Sequence, residues 1–441
     1  MSEAELIRAI ARPLTGDPRD YDRLLELIGD ARIVLLGEAS HGTHEFYSER
    51  ATISERLIVE KGFTVLAIEA DWPDAARVHR YVRGGNEDAD AHEALGGFRR
   101  FPTWMWRNTV VVEFIEWLRG HNQALDSKRA PAGFYGMDLY SLHASIDAVL
   151  DYLDKVDPEA AKRARRRYSC FDHFSREPQE YGYATTVGAV ESCEDAVVEQ
   201  LLELRQTAGE FLRRDGEVAA EELFFAEQNA RLIKNAERYY RSMFRGRASC
   251  WNLRDRHMVE TIEALVAHLN GSRQPKAIIW AHNSHLGDAR ATEMRQYGEL
   301  NVGQIVREHF GNEAALIGFT THHGSVTAAS DWGAIAERKT VRPALPGSYE
   351  ELFHEVGLPR FWIDLSAPDN NIDILRAARL ERAIGVIYRP ETERMSHYFQ
   401  ARLPDQFDAV IHIDETRAVE PLERTSVWDK RELPETYPFK V

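Results

Sequence analysis

Cysteine is scarce in this sequence, which contains Cys170, Cys193 and Cys250 among its 441 residues. An odd number of cysteines at wide spacing, with no C-x-x-C pair, indicates neither a disulfide framework nor a zinc knuckle. Cysteines that stay reduced are typical of the cytoplasm. The cysteine content therefore predicts a cytoplasmic protein with free thiols.

Long apolar runs are also missing. No stretch approaches the roughly 20 apolar residues that a membrane-spanning helix needs. The N-terminal segment "MSEAELIRAIARPLTGD" carries charged residues throughout, where a secretory signal would need an apolar centre. We therefore expect a soluble intracellular protein that has no membrane partner.

Basic residues are fewer than acidic residues in this sequence. The chain has 55 basic and 71 acidic residues, a formal net charge of -16, which disfavours binding to a nucleic-acid backbone or an anionic membrane. The basic cluster "KRARRR", residues 162–167, is better explained as a solvated helix face than as a nucleic-acid contact. With 44% hydrophobic and 29% charged residues, the composition is typical of a globular protein.

Short apolar runs rich in Val, Ile and Leu alternate with helical patterns. Such runs are typical of strands buried on both faces, and the alternation predicts an α/β fold with a mostly parallel central sheet flanked by helices. The predicted strands lie within residues 32–38, 64–70, 132–138, 276–283, 314–319, 360–365, 383–389 and 408–414.

The middle of the chain has a different pattern. Between about residues 141 and 270, apolar residues recur at spacings of three and four within long charged stretches, which predicts amphipathic helices. We interpret this segment as a large helical insertion that packs over the sheet and forms a cleft. The predicted organisation is residues 1–140 and 271–441 as the two parts of the α/β core, with residues 141–270 as the helical layer.

Titratable side chains follow four of the predicted strands at the point where each strand ends. A buried carboxylate costs several kcal/mol unless it is paired or hydrogen-bonded, so repeating that cost at four strand ends indicates a function. Ligands of open α/β sheets bind at the carboxyl ends of the strands. The residues expected to meet in one site there are Glu38, His41, Glu69, Asp71, Asp138, His282, Asn283 and His285.

Four segments of the sequence resemble the erythromycin esterase family. They are "GEASHGTHEFYSER", "AIEADWPDA", "NLRDRHM" and "IIWAHNSHL", in this order and at these separations. The resemblance runs from about residue 30 to about residue 415, and it is weakest in the helical middle and the C-terminal tail. The combination of the four segments is specific, although each segment is short.

This resemblance implies a function and a set of site residues. It implies an α/β core with a helical layer, a deep cleft, and ester hydrolysis by activated water without a covalent intermediate. Matched residue by residue, it implies that His41 is the general base and that Glu38, Arg50, Glu69, His282 and His285 complete the catalytic set. No cofactor and no metal are implied.

The same residues leave two other mechanisms open. Residues 38–42, "EASHG", come near the nucleophile elbow G-x-S-x-G, with Ser40 at a strand-to-helix turn but without the first glycine. The set Glu69, His282 and His285, with His41 or Glu38, also contains the ligand types of a catalytic zinc site. A third possibility is a protein that binds a small molecule, or assists a pathway, without turning the molecule over.

The substrate is expected to be a small-molecule ester or lactone, of the macrolide type or related to it. Hydrolysis of a macrolide would imply a role in antibiotic resistance. Aromatic walls suit a large apolar substrate, and polar residues near the predicted strand ends could orient it. The residues expected to contact substrate are His44, Trp104, Trp106, Asp138 and Asn283.

Overall fold

A central sheet organises the molecule. The computed structural model describes residues 2–85, 87–126, 129–174, 178–244, 246–270, 274–367 and 372–429, apart from the side chains at 18, 208–219 and 247. Within these residues the strands are β1 (Arg12–Pro13), β2 (Ile33–Leu36), β3 (Val65–Asp71), β4 (Gly133–Asp138), β5 (Ala277–Trp280), β6 (Ala314–Ala328), β7 (Glu337–Val341), β8 (Arg360–Asp364), β9 (Arg379–Arg382), β10 (Tyr398–Ala401) and β11 (Ala409–Thr416).

The main sheet is mostly parallel, as the sequence predicts. Its order is β1-β8-β11-β6-β2-β5-β3-β4, with β7 paired to β6 beside this path. Strands β11, β6, β2, β5, β3 and β4 run parallel to one another, whereas β8, β1 and β7 pair in the antiparallel sense. Strands β9 and β10 form a separate antiparallel pair. The six parallel strands therefore bring their carboxyl ends to one edge.

Helices cover both faces of this sheet. Within the described residues they are α1 (Glu3–Ile10), α2 (Asp22–Ile28), α3 (His44–Lys61), α4 (Trp72–Val82), α5 (Ala91–Ala94), α6 (Thr109–Ala124), α7 (Leu142–Val156), α8 (Pro158–Tyr168), α9 (Pro178–Thr186), α10 (Glu194–Ser242), α11 (Arg247–His268), α12 (Asn283–Leu286), α13 (Val302–Phe310), α14 (Tyr349–Glu355), α15 (Glu393–Ser396), α16 (Leu403–Gln406) and α17 (Ser426–Asp429).

Side chains alternate between two cores on either side of the sheet. Ile33 and Leu35 of β2 face a core that includes the long helices α7, α10 and α11. Val34 and Leu36 face a second core with α2, α3 and α6. Because strand side chains alternate with a period of two, one short apolar run contributes to both cores. None of the described helices has a segment long and apolar enough to cross a bilayer.

The predicted strand at residues 383–389 is wrong. This segment forms isolated bridges, which pair Ile384 with Ser40 and Ile387 with Ala329. The Ile384 N–H donates to the Ala39 carbonyl at 2.8 Å, and the His41 N–H donates to the Ile384 carbonyl at 3.3 Å. The apolar residue Ile384 is fully buried, but the backbone of the segment pairs with loops and not with strands. It holds the loop that carries His41.

The expectation of free thiols is wrong for two of the three cysteines. Cys170 and Cys193 form a disulfide, with their Cα atoms 6.1 Å apart, and Cys250 is free and buried. Packing brings a turn after α8 against the start of α10, which the spacing of the cysteines in the sequence does not reveal.

Gly42 lies where two backbone segments meet the loop after β2. Its carbonyl accepts from the N–H groups of Thr327 at 3.0 Å and Val419 at 2.8 Å. A Cβ atom built on Gly42 would lie 1.8 Å from the Thr327 carbonyl oxygen. The close approach of β6 therefore requires a glycine at position 42. This residue of the segment "GEASHG" has a structural role.

We predict that Gly42→Ala lowers the free energy of unfolding by about 1–3 kcal/mol or more, since overpacking forces the backbone apart. The matched control is Gly120→Ala in the exposed part of α6, where an added Cβ meets open space. That change should raise stability by about 0.5–1 kcal/mol, because glycine disfavours helix interiors. Urea denaturation measures both. Equal effects of the two substitutions would contradict this account of Gly42.

Candidate active site

A cavity of about 920 Å³ opens at the carboxyl edge of the sheet. Its lining includes side chains at or just after the carboxyl ends of β2, β3, β4 and β5, namely His41, Glu69, Asp138, His282 and His285. The rings of His41 and His282 lie 4.9 Å apart between centroids. Four chain segments that are remote in the sequence thus meet at one cleft, as the strand ends predict.

His41 is oriented by a buried carboxylate. Its Nδ1 atom lies 2.9 Å from Oε1 of Glu38, and Oε2 of Glu38 accepts from Nη2 of Arg50 at 2.6 Å. Glu38 is 1% exposed and Arg50 is fully buried. An ionised Glu38 accepts the proton on Nδ1 of His41, which leaves Nε2 as the basic nitrogen on a ring that lines the cleft.

Arg50 is held beneath the cleft by aromatic rings as well as by Glu38. Its guanidinium carbon lies 4.6 Å from the ring centroid of Tyr47 and 5.0 Å from that of Trp280. Cation–π contacts of this kind offset part of the cost of removing a charge from water. The side chain reaches back along α3 and binds the carboxylate of Glu38, so Arg50 forms a buried ion pair rather than a surface salt bridge.

His282 caps the short helix α12 and is held as a neutral imidazole. Its Nδ1 accepts from the Ser284 N–H at 3.2 Å and lies 2.8 Å from the Ser284 hydroxyl. Its own backbone N–H donates to Oε2 of Glu69 at 2.9 Å. Burial, reinforced by the nearby His41, lowers the pKa of His282 to about 3. Because Nδ1 accepts, the proton of this neutral ring is on Nε2.

The Nε2 atom of His282 is buried and makes no hydrogen bond of standard geometry with any described residue, although the backbone carbonyl of Ala39 also interacts with the ring. Buried polar atoms are nearly always paired in native proteins. An N–H that lacks a well-formed hydrogen bond, on a ring that lines the cleft, is therefore a candidate donor to a bound substrate oxygen. It lies on the ring that faces His41, the candidate base.

Arg254 of α11 joins the second and third strand ends. Its Nη2 donates to Oε1 of Glu69 at 2.6 Å and to Oδ2 of Asp138 at 2.7 Å, and its Nε donates to Oδ1 of Asp138 at 3.0 Å. Burial alone would raise the pKa of Glu69, but the charges of His285 and Arg254 hold it well below its ordinary value. Glu69 is therefore ionised in the folded protein.

His285, the second histidine of α12, lies between two carboxylates and Arg254. Its Nδ1 lies 2.9 Å from Oδ1 of Asp255, and its Nε2 lies 3.4 Å from Oε1 of Glu69. Burial lowers the pKa of His285, but the carboxylates of Asp255 and Glu69 outweigh burial and raise it to about 9. The ring of Trp251 stacks on it at 4.4 Å. The cleft thus has a positive side centred on Arg254, whose Nη1 lies 3.0 Å from Nε2 of His285.

The other predicted substrate contacts separate into two groups. Trp106 and Asp138 line the cleft. Trp104 is buried in the core beneath it, and Asn283 is fully buried, where its side-chain amide donates to the Phe319 carbonyl at 2.7 Å. His44 lies at the start of α3 and lines a different cavity, beside residues of β7. The structure does not bring these last three side chains to the cleft.

Several cleft residues have no place in the sequence-based prediction. Arg254 and Asp255 lie within "NLRDRHM", the one matched segment to which no role was assigned. Asp74 lies three residues after Asp71 in "AIEADWPDA", and Arg100 donates to Asp71 at 3.1 Å. Arg254 and Asp255 could have been predicted as site residues, because they lie in a segment that resembles the family. No local sequence pattern indicates that Arg100 lines the cleft.

The fold and the site together define an esterase-like hydrolase. The erythromycin esterase family model matches residues 58–416. The chain is 22% identical over 405 residues to erythromycin esterase type II of Escherichia coli, covering 86% of this chain and 93% of that protein. This chain therefore belongs to the erythromycin esterase family.

Solved structures share the whole fold. A crystal structure of a succinoglycan biosynthesis protein matches with a TM-score of 0.74 at 22% identity, covering 95% of this chain and 97% of that one. A mutant of the erythromycin esterase EreC in its open conformation matches with a TM-score of 0.68 at 16% identity, covering 92% and 96%. The family model begins at residue 58, after Glu38, His41 and Arg50.

Asp74 gives the cleft a measurable pH dependence. Burial and the neighbouring Asp71 raise the pKa of Asp74 from 3.8 to about 8. Between these values the folded chain holds a proton that the unfolded chain releases, so stability falls as pH rises through this window. We predict that Asp74→Asn, which mimics the protonated side chain, raises the free energy of unfolding by much more at pH 9 than at pH 5.

Urea denaturation at the two pH values measures this effect. The exposed Asp30 provides the control, since Asp30→Asn should change stability equally at both. A loss of stability in Asp74→Asn that is the same at pH 5 and pH 9 would show that Asp74 does not hold a proton in the folded protein.

Proposed function

We propose that this protein hydrolyses a carboxylic ester or lactone by direct attack of water, with His41 as the general base. The observation that carries the proposal is the buried chain from Arg50 through Glu38 to Nδ1 of His41. It fixes the ring and its tautomer in the way that a carboxylate orients a catalytic histidine. Nε2 of His41 is then the base.

The proposed reaction has two steps. Nε2 of His41 takes a proton from water as the water oxygen attacks the ester carbonyl carbon, and the carbonyl oxygen becomes an oxyanion. The Nε2–H of His282 donates to this oxyanion, while Arg254 and His285 make the field around it positive. The ester C–O bond then breaks, and His41 returns its proton to the leaving alkoxide. General bases and oxyanion donors typically contribute about 10²–10⁴-fold and 10²–10³-fold to the rate.

The surroundings of Ser40 favour water over serine as the nucleophile. The Ser40 hydroxyl is buried and hydrogen-bonded to the hydroxyl of Thr43. Ser40 is absent from the residues that line the cleft. A nucleophile elbow would present its hydroxyl to the substrate beside the base. The predicted alternative with Ser40 as nucleophile therefore has no support from the geometry.

The contacts of Arg254 disfavour the alternative in which the cleft histidines bind a catalytic metal. Oε1 of Glu69 accepts from Arg254 at 2.6 Å, and Nε2 of His285 lies 3.0 Å from Nη1 of Arg254. Nδ1 of His285 is directed to Asp255. A guanidinium therefore occupies the position from which a cation would contact Glu69 and His285, and it supplies positive charge itself.

The shape of the cleft supports a small-molecule ester of substantial size as the substrate. Its volume lies at the upper end of ordinary ligand sites. Apolar and aromatic side chains form much of its wall, including Phe98, Phe101, Trp106, Met294, Tyr297 and Trp332. Macrolide lactones belong to this substrate class, and their hydrolysis would make the protein a resistance factor. A protein that only binds would have no need of the oriented base.

We predict that His41→Asn lowers kcat/KM for ester hydrolysis by at least about 10²-fold, because the general base is lost. Glu38→Gln should have a smaller effect, since the amide still contacts His41 but does not stabilise its imidazolium. Ser40→Ala serves as the control and should retain activity within a few-fold. Thermal unfolding of each variant checks that the fold is intact. Equal loss in Ser40→Ala and His41→Asn would exclude the proposal.

The substrate class is tested by incubating the purified protein with a panel of macrolides and simple esters and following the mass gain of one water. Turnover that is unchanged by a chelator supports His41-activated water. Loss of turnover with the chelator, in a protein whose melting temperature is unchanged, would establish metal-dependent hydrolysis instead. Binding without any product across the panel would favour the non-catalytic alternative.

A further inference from the structure

A second group of histidines lies outside the catalytic cleft. His322 and His323 are on β6, His354 is on α14 and Asp414 is on β11. One nitrogen or oxygen atom from each of the four residues lies within 4.8 Å of the corresponding atom of every other. None of the four lines the cleft, so the proposed hydrolysis gives them no role.

Three imidazoles and a carboxylate are brought unusually close at this position. Nδ1 of His322 lies 2.9 Å from Nδ1 of His323, and Nδ1 of His354 lies 2.7 Å from Oδ1 of Asp414. The rings of His322 and His354 stack with their centroids 3.8 Å apart and their planes 7° from parallel. The four donor atoms come from three elements that are remote in the sequence.

We propose that His322, His323, His354 and Asp414 bind a divalent metal ion of the zinc type. Imidazole nitrogens and a carboxylate oxygen are ligands that Zn²⁺ takes in tetrahedral sites. With metal–ligand bonds of about 2.0–2.1 Å, tetrahedral ligand atoms stand roughly 3.3 Å apart. Side-chain rotations would have to shorten the widest separations, which reach up to 4.8 Å, and lengthen the two hydrogen-bonded contacts of 2.9 Å and 2.7 Å to that value. Zn²⁺ would then bind the His322–His323 pair and the His354–Asp414 pair in one coordination sphere.

The surroundings of the cluster suit such an ion. His412 is fully buried, its Nδ1 lies 2.9 Å from the Thr320 hydroxyl, and its Nε2 lies 3.5 Å from Oδ1 of Asp414. This contact orients the carboxylate from behind, as supporting groups do in metal sites. The nearest buried cation is engaged elsewhere: Arg382 donates to the His322 carbonyl at 2.8 Å and pairs with Glu393 at 3.1 Å.

The cluster is also open to water. The side chain of His354 is 47% exposed and that of Asp414 is 20% exposed, whereas His322 is buried. An ion can therefore enter past the exposed histidine and reach the buried one. Because its ligands come from β6, α14 and β11, a bound ion would connect the end of the sheet to the helix that packs on it. Such binding favours the folded state.

Zinc binding is measured by isothermal titration of the full chain after treatment with a chelator and dialysis. We expect one Zn²⁺ per chain at this site, a higher melting temperature with Zn²⁺ than without it, and tetrahedral Co²⁺ absorption when Co²⁺ replaces Zn²⁺. His354→Ala and Asp414→Asn should each weaken binding at least tenfold. His354 is exposed, so its replacement does not threaten the fold.

Two control variants locate the ion. His309→Ala replaces another exposed histidine paired with a carboxylate, at 2.6 Å from Glu263, and should leave binding unchanged. His282→Ala removes a histidine of the catalytic cleft and should also leave it unchanged. The proposal is overturned if the unaltered chain binds no Zn²⁺, if His354→Ala binds as tightly as the unaltered chain, or if His282→Ala abolishes binding.

Discussion

Two arginines, one fully buried and one partly buried, make the polar edge of this sheet possible. Glu38 is paired with Arg50 and Glu69 with Arg254, each at 2.6 Å. Without these partners the carboxylates would be protonated or would cost several kcal/mol each. Arg50 comes from α3 on one face of the sheet, and Arg254 comes from α11 on the other. The site therefore forms only when both helical layers have packed onto the sheet.

Two neighbouring histidines of the site have pKa values that are shifted in opposite directions. His282 and His285 are three residues apart on one short helix, and both are almost fully buried. The pKa of His282 falls to about 3 through burial and the nearby His41, whereas Asp255 and Glu69 raise that of His285 to about 9 despite burial. A neutral His282 can therefore donate from Nε2, while Arg254 beside His285 supplies positive charge, and this division of roles suits an oxyanion.

The strand ends could be predicted from the sequence because buried strands leave short apolar runs, and polar residues directly after them are conspicuous. Arg254 could not be predicted from a strand end, since it lies on α11, a helix whose surface is charged throughout. Its carboxylate partners, Glu69 and Asp138, lie more than a hundred residues away in the sequence. The disulfide between Cys170 and Cys193 and the pairing of residues 383–389 with loops likewise depend on tertiary packing. His44 shows a different limit, because a titratable residue three positions after the proposed base lines another cavity.

The proposed mechanism assigns catalysis and substrate choice to different parts of the fold. The proposed base, its carboxylate and the proposed oxyanion donors lie on strand ends and helices that pack into two cores. Much of the apolar wall of the cleft comes instead from connecting segments, with Phe101 and Trp106 before α6, Tyr297 before α13 and Trp332 after β6. Loops tolerate substitution better than the elements they connect. We therefore expect a change of substrate to involve mainly these segments, while Arg50 and Arg254 constrain the reaction.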